Sequence, residues 1–184
     1  MSKKILVAVA NGFEEIEFIS PVDILRRAGL DVVIGVSGDS LEVVGTNGVS
    51  IKGDIFISQL SAEFDAIICP GGMNCANTLG TDKHLLKLLK DTKEKGKLIA
   101  AICASPVLVF EKNGLLNNIE KATCYPSMAS ELSKPDLSND VCVSSNVITS
   151  KAPGTSIQFA LRIVEALCGA SVSHSVAEMI VAKI

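Results

Sequence analysis

Leu98-Ile99-Ala100-Ala101-Ile102-Cys103-Ala104-Ser105-Pro106 is the stretch on which the fold of this chain turns. Its first five residues are apolar without alternation, the pattern of a strand covered on both faces. A cysteine follows at once. Ser105-Pro106 then opens a helix, because proline is tolerated in a helical first turn, and Gly114 ends it. The unit is therefore a buried strand, an abrupt junction and a helix.

The same grammar repeats on either side. Residues 66–69, Ala-Ile-Ile-Cys, form another buried run that stops at Pro70-Gly71-Gly72. Residues 83–95 predict the helix between the two strands, with Leu85, Leu88 and Leu89 on one face and Gly96 as its stop. Residues 5–10 predict a first buried strand and 14–28 a helix ending in Arg26-Arg27-Ala28-Gly29. Pro21 sits inside that helix, so a kink or a restart capped by Ser20 is expected. A β-branched strand follows at 32–36. Segments 41–44 and 49–51, joined at Asn47-Gly48, predict short antiparallel additions at a sheet edge. Residues 122–124 and 147–150 read as short strands, and a last helix is expected from about 173 to the end. Residues 155–168 read as a strong helix with Ile157, Ala160, Leu161, Ile163, Val164 and Leu167 facing inward. Strands alternating with helices, without a repeat or a linker, argue for one α/β domain over 1–184 with a mainly parallel sheet.

Composition narrows the function. At 184 residues and 48% hydrophobic, the chain can bury a sizeable core without staples. Its net charge of −3 offers no basic excess for nucleic acid, and six Phe, one Tyr and no Trp offer few stacking platforms. No run reaches the ~20 apolar residues of a membrane span. The N-terminus has two lysines before an apolar run, but that run is shorter than the ~7–15 residues of a signal-peptide core. A cytoplasmic protein without membrane or nucleic-acid partners is expected. The six cysteines lack tight spacing and any CxxC, and His84 and His174 stand apart from them. Neither a disulfide framework nor a metal site is expected.

Sites in such sheets form outside the carboxyl ends of the strands. Three loops qualify: 12–17 with Glu14, Glu15 and Glu17, then 70–73 with Gly71-Gly72, then 103–105 with Cys103. A cysteine at a strand–helix junction meets unsatisfied N–H groups that favour the thiolate. On that ground its thiol is expected well below the ordinary ~8.5. Gly71 and Gly72 have no Cβ and can present N–H groups to a developing oxyanion. The plain alternatives are a buried small hydrophobe, a tight turn, and acids that complement a helix dipole.

Taken in order, five segments resemble the DJ-1/PfpI superfamily, most of all its DJ-1 (ThiJ-like) branch. They are Gly12-Phe13-Glu14-Glu15-Ile16-Glu17, 21–29, Pro70-Gly71-Gly72, 100–106 and Pro153-Gly154-Thr155-Ser156, with 163–167 in support. The resemblance implies a flavodoxin-like three-layer α/β/α sandwich, a homodimer, and a nucleophilic, oxidisable cysteine on a strained elbow that works without a cofactor. By position, Cys103 is implied as the nucleophile and Glu17 as its partner carboxyl. Gly71, Gly72 and Ala104 are implied as backbone support, with Tyr125 and the second subunit's Pro153 in the pocket wall. The implied chemistry is glyoxalase or deglycase conversion of methylglyoxal and related small aldehydes. The alternative is a redox sensor or stress chaperone that uses Cys103 oxidation. A peptidase or amidase is remote, since Ala104 stands where the protease-like branch has histidine. Tyr125 precedes Pro126 where some members have histidine, which leaves Glu17 as the proton carrier.

Overall fold

A computed structural model describes residues 2–183. Met1 and Ile184, the latter the final residue of the expected last helix, lie outside the described residues.

Seven strands form one sheet in the order β5-β2-β1-β6-β7-β9-β8. They are β1 (Lys4–Val9), β2 (Asp31–Val36), β5 (Ile55–Phe56), β6 (Ala66–Cys69), β7 (Leu98–Ile102), β8 (Val141–Ser144) and β9 (Val147–Ser150). All pairings are parallel except β8 with β9. The continuous apolar runs are the central strands, and every residue of β6 and β7 is buried. From β1 the chain steps to β2 on one side, then back across β1 to β6 on the other. Right-handed crossovers in opposite directions put helices on both faces. α1 (Glu15–Arg27), α4 (Ser156–Cys168) and α5 (Ala170–Met179) share one layer; α2 (Met73–Thr81) and α3 (Lys83–Glu94) form the other. The three-layer sandwich expected from the sequence is the fold observed.

Several local expectations are corrected. The 41–51 hairpin does not extend the main sheet: β3 (Glu42–Val44) and β4 (Ser50–Lys52) pair only with each other. The hairpin is held instead over the β1–α1 turn, where Gly12 N–H donates to Val44 O and the Glu15 carboxylate accepts from Asn47 N and Nδ2. The antiparallel edge strand is β8, which alternating Val and Cys with polar flanks concealed. Residues 122–124 make one bridge, Ala122 to Pro135, because the next N–H, that of Thr123, goes to the Thr149 side chain. α1 neither breaks nor restarts at Pro21, and its cap is Glu14, whose side chain accepts the Glu17 N–H at 2.8 Å. The segment after Ser105 is a wide π turn (Pro106–Phe110) followed by a 3-10 turn (Glu111–Asn113) that Gly114 closes in the left-handed conformation. α5 begins three residues before Ser173 and stops at Met179. Ile157 is 46% exposed rather than inward and Leu167 is half-buried, whereas Ala160, Leu161, Ile163 and Val164 are buried as expected.

Candidate active site

The strand order places the carboxyl ends of β1, β6 and β7 side by side, and the chain changes direction between β1 and β6. This is the switch point where open α/β sheets form their crevice. Glu17 arrives one turn into α1, Gly71 and Gly72 follow β6, and Cys103 follows β7.

Cys103 has φ +66°, left-handed backbone that costs a residue with a Cβ about 1–2 kcal/mol. Two backbone bonds hold it there. Its N–H donates to Ser150 O at 3.0 Å, extending the β7–β9 ladder by one rung, and its carbonyl accepts the Tyr125 N–H at 2.8 Å. The side chain is half-buried. The N–H groups of Gly72 and Ala104 reach the sulfur and favour the thiolate.

Glu17 is fully buried. Its Oε2 accepts the Gly71 N–H at 2.9 Å, while Oε1 has no partner. A buried carboxylate oxygen without a donor is costly, so the proton is retained. Desolvation pushes the carboxyl from 4.5 up to about 7, with the Glu14 charge in support; the Cys103 side chain and the Gly71 N–H pull the other way.

Gly71 explains why no larger residue fits between the two. A Cβ there would strike Glu17 Oε2, lie 2.6 Å from Cys103 Cβ and come within 3.0 Å of its Sγ. Gly72 has φ +84° and packs its Cα against the Gly12 carbonyl, so it is barred to side chains on both counts. Glu14 N–H donates to Gly71 O at 3.2 Å, which locks the first loop to the second.

The thiol behaves differently from the expectation drawn from its junction. Burial, the Glu17 charge and the Glu17 hydrogen bond push Cys103 up to about 12, against the two backbone donors. The physical reason is coupling. The carboxyl and the thiol share one low-dielectric pocket, so the pair releases its first proton near 7, and the second must leave beside an existing negative charge.

The structure thus brings together Cys103, Glu17, Gly71, Gly72 and Ala104. Tyr125 joins through its backbone, with 44% of the residue exposed. Pro153 opens the 3-10 turn Pro153–Thr155 after β9, the strand whose last carbonyl holds Cys103. Sequence reasoning missed the tie made by Ser105, whose buried hydroxyl donates to Pro70 O at 2.5 Å. A small polar residue inside an otherwise apolar junction was its one signal. Among the described residues, no group of three or more His, Cys, Asp or Glu could hold a metal ion, and no helix is long and apolar enough to cross a membrane.

A family model described as DJ-1/PfpI matches residues 3–166. The chain belongs to the DJ-1/PfpI family. Protein DJ-1 homolog B of Arabidopsis thaliana is 42% identical over 90% of this chain, which spans only 38% of that relative's length. A Caenorhabditis elegans relative named glutathione-independent glyoxalase DJR-1.2 is 37% identical, with 88% of this chain and 87% of the relative covered. The solved structure of oxidized Toxoplasma gondii DJ-1 superposes with a TM-score of 0.96 at 37% identity, covering all of both chains.

Proposed function

We propose that this DJ-1/PfpI protein converts methylglyoxal and related small α-oxoaldehydes to hydroxy acids without glutathione or another cofactor, with deglycation of early glyoxal adducts as the related reaction. The observation that carries the reading is Glu17: a fully buried carboxyl that holds a proton to about 7 and meets, across Gly71, a cysteine on a strained elbow. The name of the C. elegans relative supports the same chemistry.

In this mechanism the pair loses its first proton near 7 and shares the remaining one between carboxyl and sulfur; addition proceeds from the form in which sulfur is the thiolate and Glu17 carries the proton. The Cys103 sulfur adds to the aldehyde carbon, and Glu17 protonates the new alkoxide to give a hemithioacetal. The ionised Glu17 then takes the proton on that carbon, and the electron pair moves into an enediol. Returning the proton to the neighbouring carbon leaves a lactoyl thioester on Cys103. Water cleaves the thioester to lactate and the free thiol, so one aldehyde and one water give one hydroxy acid. N–H groups at Gly72 and Ala104 suit the developing oxygen charge.

Two further features belong to this reading. Ile16 and Ile19 on the outer face of α1, with Ile157 at the start of α4, are 54%, 44% and 46% exposed, and the hairpin adds Val44 and Val49. These exposed apolar side chains favour a homodimer that brings the partner's Pro153 loop to the pocket. Six unpaired cysteines, four of them buried, suit a reducing cytoplasm.

The test is lactate formation from methylglyoxal without glutathione. Wild type should form lactate and Cys103→Ala should not; equal rates would reject the reading. A second reading, redox sensing by Cys103, draws support from the oxidized state of the T. gondii relative and uses the same donors to hold a sulfinate.

A further inference from the structure

Pro70 and Gly71 share one peptide group, and both of its polar ends are committed inside the protein. The carbonyl end accepts the Ser105 hydroxyl at 2.5 Å. The N–H end donates to Glu17 Oε2 at 2.9 Å. Ser105, Gly71 and Glu17 are all buried, and Ser105 and Glu17 have no exposure at all. We propose that Ser105 is a positioning residue for Glu17, acting through this peptide: its hydroxyl fixes the plane of the Pro70–Gly71 amide and polarises it, so that the Gly71 N–H is aimed and strengthened as a donor to the carboxyl.

The physics is that of a hydrogen-bond chain. A donor on an amide oxygen draws electron density toward that oxygen and leaves the N–H more positive, so consecutive bonds reinforce each other. The Gly71 N–H favours the ionised form of Glu17 and opposes the desolvation that raises its proton affinity. Ser105 thereby sets how readily Glu17 releases its proton, although its hydroxyl bonds Pro70 O and neither Glu17 nor Cys103. Among the described residues, the Ser105 hydroxyl and the Glu17 carboxyl are the hydrogen-bond partners of this peptide. The other titratable groups that act on or feel Glu17 are Cys103 after β7, Glu14 at the α1 cap and Cys75 on α2. None of them bonds the Pro70–Gly71 peptide.

The proposal rests on Glu17 as the proton carrier of the site, yet its test reads proton affinity and not turnover. In the full-length protein, the amide ¹H and ¹⁵N shifts of Gly71 report the ionisation of the carboxyl it donates to. Titrated from about pH 5 to about pH 9, wild type should show a midpoint near 7. Ser105→Ala should raise that midpoint by about half a unit, a roughly threefold gain in proton affinity. Ser105→Thr, which keeps the hydroxyl, should restore it. A folded Ser105→Ala with the wild-type midpoint overturns the proposal, because a merely structural hydroxyl would lower stability without moving the titration. If Ser105→Ala does not fold, Ser105→Cys, a weaker donor of similar size, should shift the midpoint in the same direction, and no shift overturns the proposal. A wild-type Gly71 amide that does not titrate at all rejects both Ser105 and the proton-carrier reading, whereas a Ser105-dependent titration with no lactate formed leaves Ser105 standing and removes the glyoxalase reading alone.

Discussion

Glu17 and Cys103 meet across Gly71, whose N–H is held by the Glu17 carboxyl at 2.9 Å and whose missing Cβ would lie 3.0 Å from the Cys103 sulfur. One acid and one thiol therefore share a pocket too small for another side chain, and their protons cannot be treated separately.

Stability should fall as this pair loses its first proton. The folded Glu17 holds a proton to about 7 and the unfolded one to 4.5. Native protein therefore binds more protons between those values, and stability present below 4.5 is lost as pH rises through 7. The difference corresponds to about 3 kcal/mol. Urea midpoints across this range should decline in wild type, and Glu17→Gln should flatten the decline. A wild-type slope in the variant would assign the linkage elsewhere.

Cys103 alkylation should show the coupling directly. In wild type the rate should rise toward pH 7 and then level, because the second proton stays in the pocket up to about 12. Glu17→Gln removes the negative charge, so its rate should keep climbing along a single thiol titration and exceed wild type in mild alkali. Iodoacetamide kinetics with peptide mapping decide. Matching curves for the two proteins would refute the shared proton.

Gly71→Ala should separate the site from the fold. Its methyl must displace either the Glu17 carboxyl or the Cys103 side chain. Overpacking of this kind costs about 1–3 kcal/mol. Thermal unfolding should stay cooperative at a lower midpoint, while lactate formation drops by about a hundredfold or more, the scale of a misplaced reacting group. Unchanged turnover would show that the pocket yields more easily than its packing indicates.

The exposed apolar side chains of α1 should bring two chains together. Sedimentation should give twice 19.3 kDa for wild type, and Ile19→Asp should shift it toward the single-chain mass. A wild-type mass of 19.3 kDa at micromolar concentration would remove the dimer from the reading.

Mild peroxide should add about 32 Da at Cys103, the mass of two oxygens, before a disulfide forms. Cys75, the cysteine that follows the Gly71-Gly72 loop, is fully buried on α2. A loss of about 2 Da mapping to Cys75 and Cys103 would require that helix to open.

Much of this was legible along the chain. Unbroken apolar runs at 5–10, 66–69 and 98–102 declared central parallel strands, because a strand covered on both faces has no place for polar residues. The glycines at 71 and 72 and the acids at 14, 15 and 17 marked loops worth attention. β8 and the 41–51 hairpin were harder. Short edge and surface strands take their conformation from neighbours, so Val141–Ser144 carries too little pattern of its own and the hairpin gives no sign of which surface it covers.

By itself the sequence determined the α/β class, the parallel core and the candidacy of Cys103, since periodicity and a strand–junction–helix order are local properties. Only the tertiary structure decided which of three acids is buried, that the acid and the thiol meet across Gly71, and that Ser105 grips the far end of the Pro70–Gly71 peptide. Proton affinity depends on desolvation and donors summed over atoms in space. Those atoms come from α1, the β6–α2 loop and the β7 elbow, which the strand order brings together and the linear chain keeps more than thirty residues apart from one to the next.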